Sequence, residues 1–106
     1  MKELKQSDYP KLLKNKVCAI LFTNPTPCSR CDEVKALMPK VEQKLPNIPI
    51  VYFSAAADVY PVNELSKELS FKTVPTFVIF KDGKPVSVIK SVQTPKTYIQ
   101  ALQNQF

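Results

Sequence analysis

Two nearly uninterrupted apolar runs stand out along the chain, Val17-Cys18-Ala19-Ile20-Leu21-Phe22 and Thr76-Phe77-Val78-Ile79-Phe80. Short runs of this kind, bounded by polar residues, predict central strands buried on both faces. Ile50-Val51-Tyr52-Phe53 predicts a third strand, and Lys2 to Lys5 a short edge strand. Asp82-Gly83 follows the second apolar run directly. That pair favours a type I′ hairpin, whose central residues need positive φ, so Val86 to Ser91 is the expected partner strand.

Between the strands the pattern changes to helical spacing. Val34, Leu37, Met38, Val41 and Leu45 lie on one face of a helix starting near Cys28 and ending at Pro46-Asn47-Ile48-Pro49. Pro39 falls inside it and is expected to kink or split it. Val62, Leu65 and Leu69 mark a short helix after Ala55-Ala56-Ala57-Asp58. Ser7 is the expected N-cap of a first helix running to about Asn15, with Pro10 in its first turn and Leu12 and Leu13 inward. Thr94-Pro95 is expected to cap a last helix whose apolar face is Ile99, Leu102 and Phe106. The order is β-α-β-α-β-α-β-β-α. Alternation of this kind predicts an α/β domain with parallel pairs, an antiparallel edge from the late hairpin, and helices on both faces of a mixed sheet. With 106 residues and no linker or repeat, residues 1–106 form a single domain.

Composition narrows the chemistry. There is no histidine, which removes Ser-His-Asp and Cys-His catalysis and histidine-ligated metal sites. One glycine cannot build a phosphate loop or a dinucleotide fingerprint. The net charge is +6, but the lysines are scattered and there is a single arginine, Arg30. That argues for a solvated basic surface and against nucleic acid, while leaving a preference for acidic partners open. No apolar stretch reaches membrane-spanning length, so no membrane association is expected. Three cysteines are an odd number, and the first sixteen residues are charged rather than signal-like. The expected compartment is cytoplasmic, where thiols stay reduced.

The chemistry-bearing feature is Cys28-Ser29-Arg30-Cys31. It follows a buried strand and opens an amphipathic helix, so its thiols share one face and can close a disulfide by a small adjustment. A helix N-terminus presents unpaired N–H groups and positive partial charge, both favouring a thiolate, and Arg30 adds to them. Cys28 is therefore the expected nucleophile, and Cys31, one turn inside, the resolving thiol. Zinc is the competing use of the pair. It needs two more ligands, and Cys18, mid-strand in an apolar run, reads instead as a small buried hydrophobe, so no metal is expected.

Thr73-Val74-Pro75-Thr76-Phe77 is the second feature. Pro75 sits just before a buried strand, either as an ordinary trans proline or in a cis bond that presents the backbone of Val74 beside the thiols.

Together these residues resemble the thioredoxin family over essentially the whole chain. Cys28-Ser29-Arg30-Cys31 stands where that family has its redox dithiol, and Val74-Pro75-Thr76 where it has a cis-proline motif. Lys81-Asp82-Gly83-Lys84 resembles its hairpin turn. Glutaredoxins share a Thr-Val-Pro motif, but a double-glycine segment follows it, and here the only glycine is Gly83. The resemblance implies a thioredoxin-like fold and a monomeric thiol–disulfide oxidoreductase that reduces disulfide-containing protein substrates. It implies no cofactor beyond the Cys28–Cys31 disulfide, and an external donor of the thioredoxin-reductase type. Val74 and Pro75 would align the substrate backbone, while Pro27, Ser29 and Arg30 line the contact surface.

The chain also departs from the family's pattern. Thioredoxins usually have tryptophan, Gly-Pro and a buried aspartate at the positions held here by Pro27, Ser29-Arg30 and Phe22. Their helix proline comes earlier than Pro39, and Ser91 replaces a glycine after the last strand. Without the buried acid, the base for Cys31 falls to water, Asp32 or Glu33. Two other readings therefore remain: an oxidase or isomerase dedicated to one client, and a redox-inactive thioredoxin-like binding module.

Overall fold

The structure, a computed structural model, describes all 106 residues. A five-stranded sheet has the order β1-β3-β2-β4-β5, formed by Lys2–Glu3, Ile50–Ser54, Val17–Thr23, Thr76–Lys81 and Lys84–Lys90. Every residue of β2 is buried, which is why its sequence carries no polar alternation. Its odd positions Val17, Ala19 and Leu21 join Phe77 and Ile79 of β4 on one face. There α2 (Ser29–Lys44) and α4 (Pro95–Gln103) cover them with Val34, Met38, Val41, Tyr98 and Leu102. The even positions Cys18, Ile20 and Phe22 join Val78 and Phe80 on the other, under α1 (Tyr9–Leu12) and α3 (Val62–Glu68). This is the mixed thioredoxin-like α/β sheet with helices on both faces.

Several details differ from the sequence-based expectation. β1 and β2 both run parallel to β3, whereas β4 runs antiparallel to β2. The seven-residue α3 is too short to carry the chain back along the sheet. Thr76 therefore starts β4 opposite Phe22, at the end where β2 finishes. The edge strand β1 stops at Glu3, although the Leu4 N–H still bonds the Tyr52 carbonyl at 2.7 Å. Ser7 caps nothing: it lies within a 3-10 turn, Gln6–Asp8, that leads into the single turn of α1. Thr94 occupies the N-cap position of α4, but its hydroxyl bonds the Thr97 hydroxyl at 3.1 Å instead of a backbone N–H.

Pro39 does not split α2, which continues unbroken from Ser29 to Lys44. The residue is exposed, so the carbonyl that loses its N–H partner lies on the solvent side of the helix, where the loss is tolerated. The turn residues Asp82 and Gly83 have φ of 53° and 80°, as the hairpin requires. Phe106 lies beyond α4 and is 73% exposed, while Tyr98 is fully buried in the role expected of an apolar residue. Its ring meets Phe77 edge-on at 5.0 Å, and its hydroxyl donates to the Ser91 carbonyl and accepts from the Gln93 N–H. A phenol can therefore stand in the core with its polar end satisfied.

Candidate active site

The end of β2 and the start of β4 are neighbours, and that adjacency builds the site. After Thr23 the loop Asn24-Pro25-Thr26-Pro27 delivers Cys28 to the N-cap position of α2, in extended conformation at φ −143° and ψ 99°. Its Sγ accepts a hydrogen bond from the Cys31 N–H at 3.2 Å, so sulfur occupies the place of a capping oxygen. Cys28 and Cys31 are joined in a disulfide with Cα atoms 5.2 Å apart. The two sulfurs are unequal: Cys28 is half-buried, whereas Cys31 is 2% exposed.

Across from the dithiol, the loop before β4 brings in the second feature. The Val74–Pro75 peptide bond is cis, and Pro75 is buried. Its loop is pinned on both sides: the Ser91 N–H bonds the Pro75 carbonyl at 3.0 Å, and the Thr76 hydroxyl bonds the Thr73 carbonyl at 2.7 Å. Ser91 adopts φ 64° there, explaining why a glycine suits this position. The N–H and C=O of Val74 bond no other backbone group of the chain, leaving both free to pair with an extended strand from outside.

A groove of about 720 Å³ runs between these segments. Pro27, Cys28, Ser29 and Arg30 form one wall and Lys72, Thr73 and Val74 the other, with Phe71 and Val62 among the apolar lining. Of the residues singled out from sequence, Pro27, Cys28, Ser29, Arg30 and Val74 thus meet in one groove. Cys31 and Pro75 are buried and do not line it. Sequence reasoning missed Lys72 and Phe71; their only signal was proximity to Pro75. It also missed a second cis proline, Pro61, after Tyr60.

The apolar layer next to the groove is aromatic. Phe71 stacks on Phe22 at 5.8 Å, and Phe22 meets Phe53 edge-on at 6.3 Å. Phe22 is 1% exposed and carries no ionisable group, while Asp32 and Glu33 are exposed on α2. Cys18 stands apart from the site. It is fully buried in β2, and burial pushes its thiol up to about 11. No three Cys, Asp or Glu side chains cluster where they could hold a metal ion.

A closed Cys-x-x-Cys pair at a helix start, facing a cis-proline loop across a shallow groove, defines a dithiol–disulfide scaffold on a mixed sheet. The family model for thioredoxin matches residues 1–104, and the chain belongs to the thioredoxin family. Thioredoxin-2 of Pyricularia oryzae is 28% identical over 95 residues, 90% of this chain and 52% of that protein. The chain therefore spans about half the length of that curated relative. Among solved structures, oxidized mitochondrial thioredoxin 3 of Saccharomyces cerevisiae superimposes with a TM-score of 0.76 at 24% identity, over 98% of this chain and 94% of the other. Fasciola hepatica thioredoxin gives 0.75 at 20% identity over the full length of both chains. At these identities the structural likeness concerns the fold.

Proposed function

We propose that the chain is a thiol–disulfide oxidoreductase that reduces protein disulfides. The observation that carries this reading is the Cys28–Cys31 disulfide at the N-terminus of α2, with Cys28 open to the groove and Cys31 covered. In the reduced protein the Cys28 thiolate attacks one sulfur of a substrate disulfide. A Cys28–substrate disulfide forms, and the other substrate sulfur leaves as thiolate and takes a proton. Cys31 then loses its proton and attacks the Cys28 Sγ. The internal disulfide closes, and the second substrate sulfur leaves as a thiol. Two electrons have passed to the substrate, and a dithiol donor of the thioredoxin-reductase type returns them.

Each part of the site has a task in this cycle. The N–H groups of the first turn of α2 and the guanidinium of Arg30 favour the thiolate form of Cys28. Val74 offers its free N–H and C=O to the substrate backbone, held in place by Pro75 and its bond to Ser91. Pro27 and Ser29 shape the contact surface around the sulfur. The protein works as a monomer in a reducing, cytoplasmic compartment.

The test is a pair of variants in a disulfide-reduction assay. Cys28→Ser abolishes turnover, and Cys31→Ser accumulates a mixed disulfide between Cys28 and the substrate. Wild-type turnover by Cys28→Ser overturns the mechanism. A reduction potential at the oxidising end of the family range would instead make the physiological direction oxidation or isomerisation.

A further inference from the structure

The charges on the groove are all of one sign. Its lining contains two ionisable side chains besides the cysteine, Arg30 on the α2 wall and Lys72 on the opposite wall, and no carboxylate. The nearby acids Asp32, Glu33 and Asp58 are exposed but contribute nothing to the lining. The chain as a whole carries +6, so the surrounding field does not offset the pair.

The backbone at both residues is anchored, while their charged ends are exposed. Arg30 belongs to the first turn of α2, two residues after Cys28. Lys72 follows Phe71, whose N–H bonds the Ser66 carbonyl at 3.0 Å and whose ring is stacked in the aromatic layer. Next to it, the Ser70 carbonyl accepts from the Lys90 ammonium at 2.8 Å, and the Thr73 carbonyl accepts from the Thr76 hydroxyl. A substrate strand pairing with Val74, its cysteine at Cys28, therefore lies in a groove bordered by both Arg30 and Lys72.

We infer that the groove selects disulfides whose cysteine is flanked by acidic residues, with Arg30 and Lys72 as the specificity-determining side chains. The inference rests on the oxidoreductase reading and adds its substrate class: an extended protein segment carrying Asp or Glu close to the cysteine. The complementarity acts on encounter and on the lifetime of the complex, and salt screens it because both cations are exposed. Each cation contributes about 1.4- to fivefold, the range for an exposed ion pair.

The experiment uses three synthetic peptides, each with one cysteine as its thiopyridyl disulfide, flanked by Glu-Glu, Ser-Ser or Lys-Lys. Reduced protein is mixed with each, and thiopyridone release gives the second-order rate constant. The expected order is acidic, neutral, basic, with the acidic-to-basic ratio shrinking as salt rises. Lys72→Gln and Arg30→Gln each shrink that ratio, and Lys72→Glu reverses part of it. The ratio is the diagnostic, because Arg30 also affects the reactivity of Cys28, which changes all three rates together. Equal rates for the three peptides, or a ratio untouched by both variants and by salt, overturn the inference while leaving the oxidoreductase reading intact. No reaction with any peptide overturns both.

Discussion

Replacing Phe22 by aspartate tests two parts of the argument at once: that the layer beside the groove is dry, and that the resolving step lacks a proton acceptor. Phe22 is 1% exposed and sandwiched by Phe53 and Phe71. Truncating a fully buried phenylalanine costs about 3–5 kcal/mol, including the cavity it leaves. That is a large share of the roughly 5–15 kcal/mol that holds a domain of this size together. In a dry aromatic pocket the introduced carboxyl is neutral in the folded state, so its pKa lies above the unfolded value of ~3.9. Its ionisation in the unfolded chain then lowers stability as pH rises above about 4, by ~1.4 kcal/mol per unit, until the folded carboxyl itself ionises. Urea unfolding of Phe22→Asp at pH 4, 6 and 8, against wild type and Phe22→Leu, reads this directly. The expected result is a deficit of about 3–5 kcal/mol at pH 4 that widens with pH. In the same variant, resolution of a preformed mixed disulfide is expected to accelerate only where pH is high enough to ionise the introduced carboxyl in the fold, since a neutral acid accepts no proton. A positioned general base contributes about a hundredfold or more. A deficit under about 1 kcal/mol with no pH dependence refutes the dry pocket. Resolution no faster than in Phe22→Leu at a pH where the introduced carboxyl is ionised refutes the missing base as a limit on closure.

Other substitutions probe the frame around the site. Burial raises Cys18 to about 11 and Tyr9 to about 12, so both are neutral in the fold while their unfolded counterparts ionise first. Stability is therefore expected to fall from about pH 9 upward, by up to ~1.4 kcal/mol per unit for each group, and Cys18→Ala removes the thiol's share in alkaline urea titrations. Iodoacetamide at pH 8 is expected to leave Cys18 unmodified in the native reduced protein and to label it once urea is added, as peptide mapping reads. Tyr98→Phe removes the hydroxyl that bonds both the Gln93 N–H and the Ser91 carbonyl, and is expected to cost about 1 kcal/mol in thermal or urea unfolding. Gly83→Ala is expected to cost about 1 kcal/mol, from φ 80° alone, because an added Cβ would sit 3.5 Å from the Leu13 carbonyl oxygen, an ordinary contact.

The sequence disclosed the site better than the details of its frame, for identifiable reasons. β2 and β4 are buried on both faces, so their apolar runs marked the sheet centre directly. The dithiol and Pro75 were legible because each sits at a boundary between a buried strand and a polar segment. What escaped detection depended on three-dimensional closure. Tyr98 was passed over because its hydroxyl reads as polar until the loop Ser91–Gln93 folds over to meet it. Pro39 reads as a breaker, but a proline on the solvent face of a helix that is packed along its other side is tolerated. The antiparallel β2–β4 pair depends on the length of α3, which the Val62, Leu65 and Leu69 spacing does not fix. Lys72 carried no signal beyond its proximity to Pro75, since its role depends on sharing the groove with Arg30.

The two sulfurs are governed by different physics, and that division links Phe22 to the charged walls. On the proposed mechanism, attack by Cys28 takes place at the groove, where Arg30, Lys72 and the start of α2 act on an incoming chain. Closure by Cys31 takes place under cover, at a thiol 2% exposed in a fold whose Phe22 position holds no carboxylate. On the proposed mechanism, slow proton loss from Cys31 lengthens the life of the mixed disulfide relative to its reversal by the departing substrate thiolate. When reversal competes with closure, the attack step approaches equilibrium before the substrate is committed. Selectivity then reflects how long each substrate is held as well as how fast it arrives. On the inferred preference, an acidic segment is retained longer than a neutral one, so a slow second step amplifies a modest charge preference at the first. On that proposal the aromatic layer is a kinetic partner of the cationic groove: a faster base would raise turnover for every substrate and narrow the differences among them.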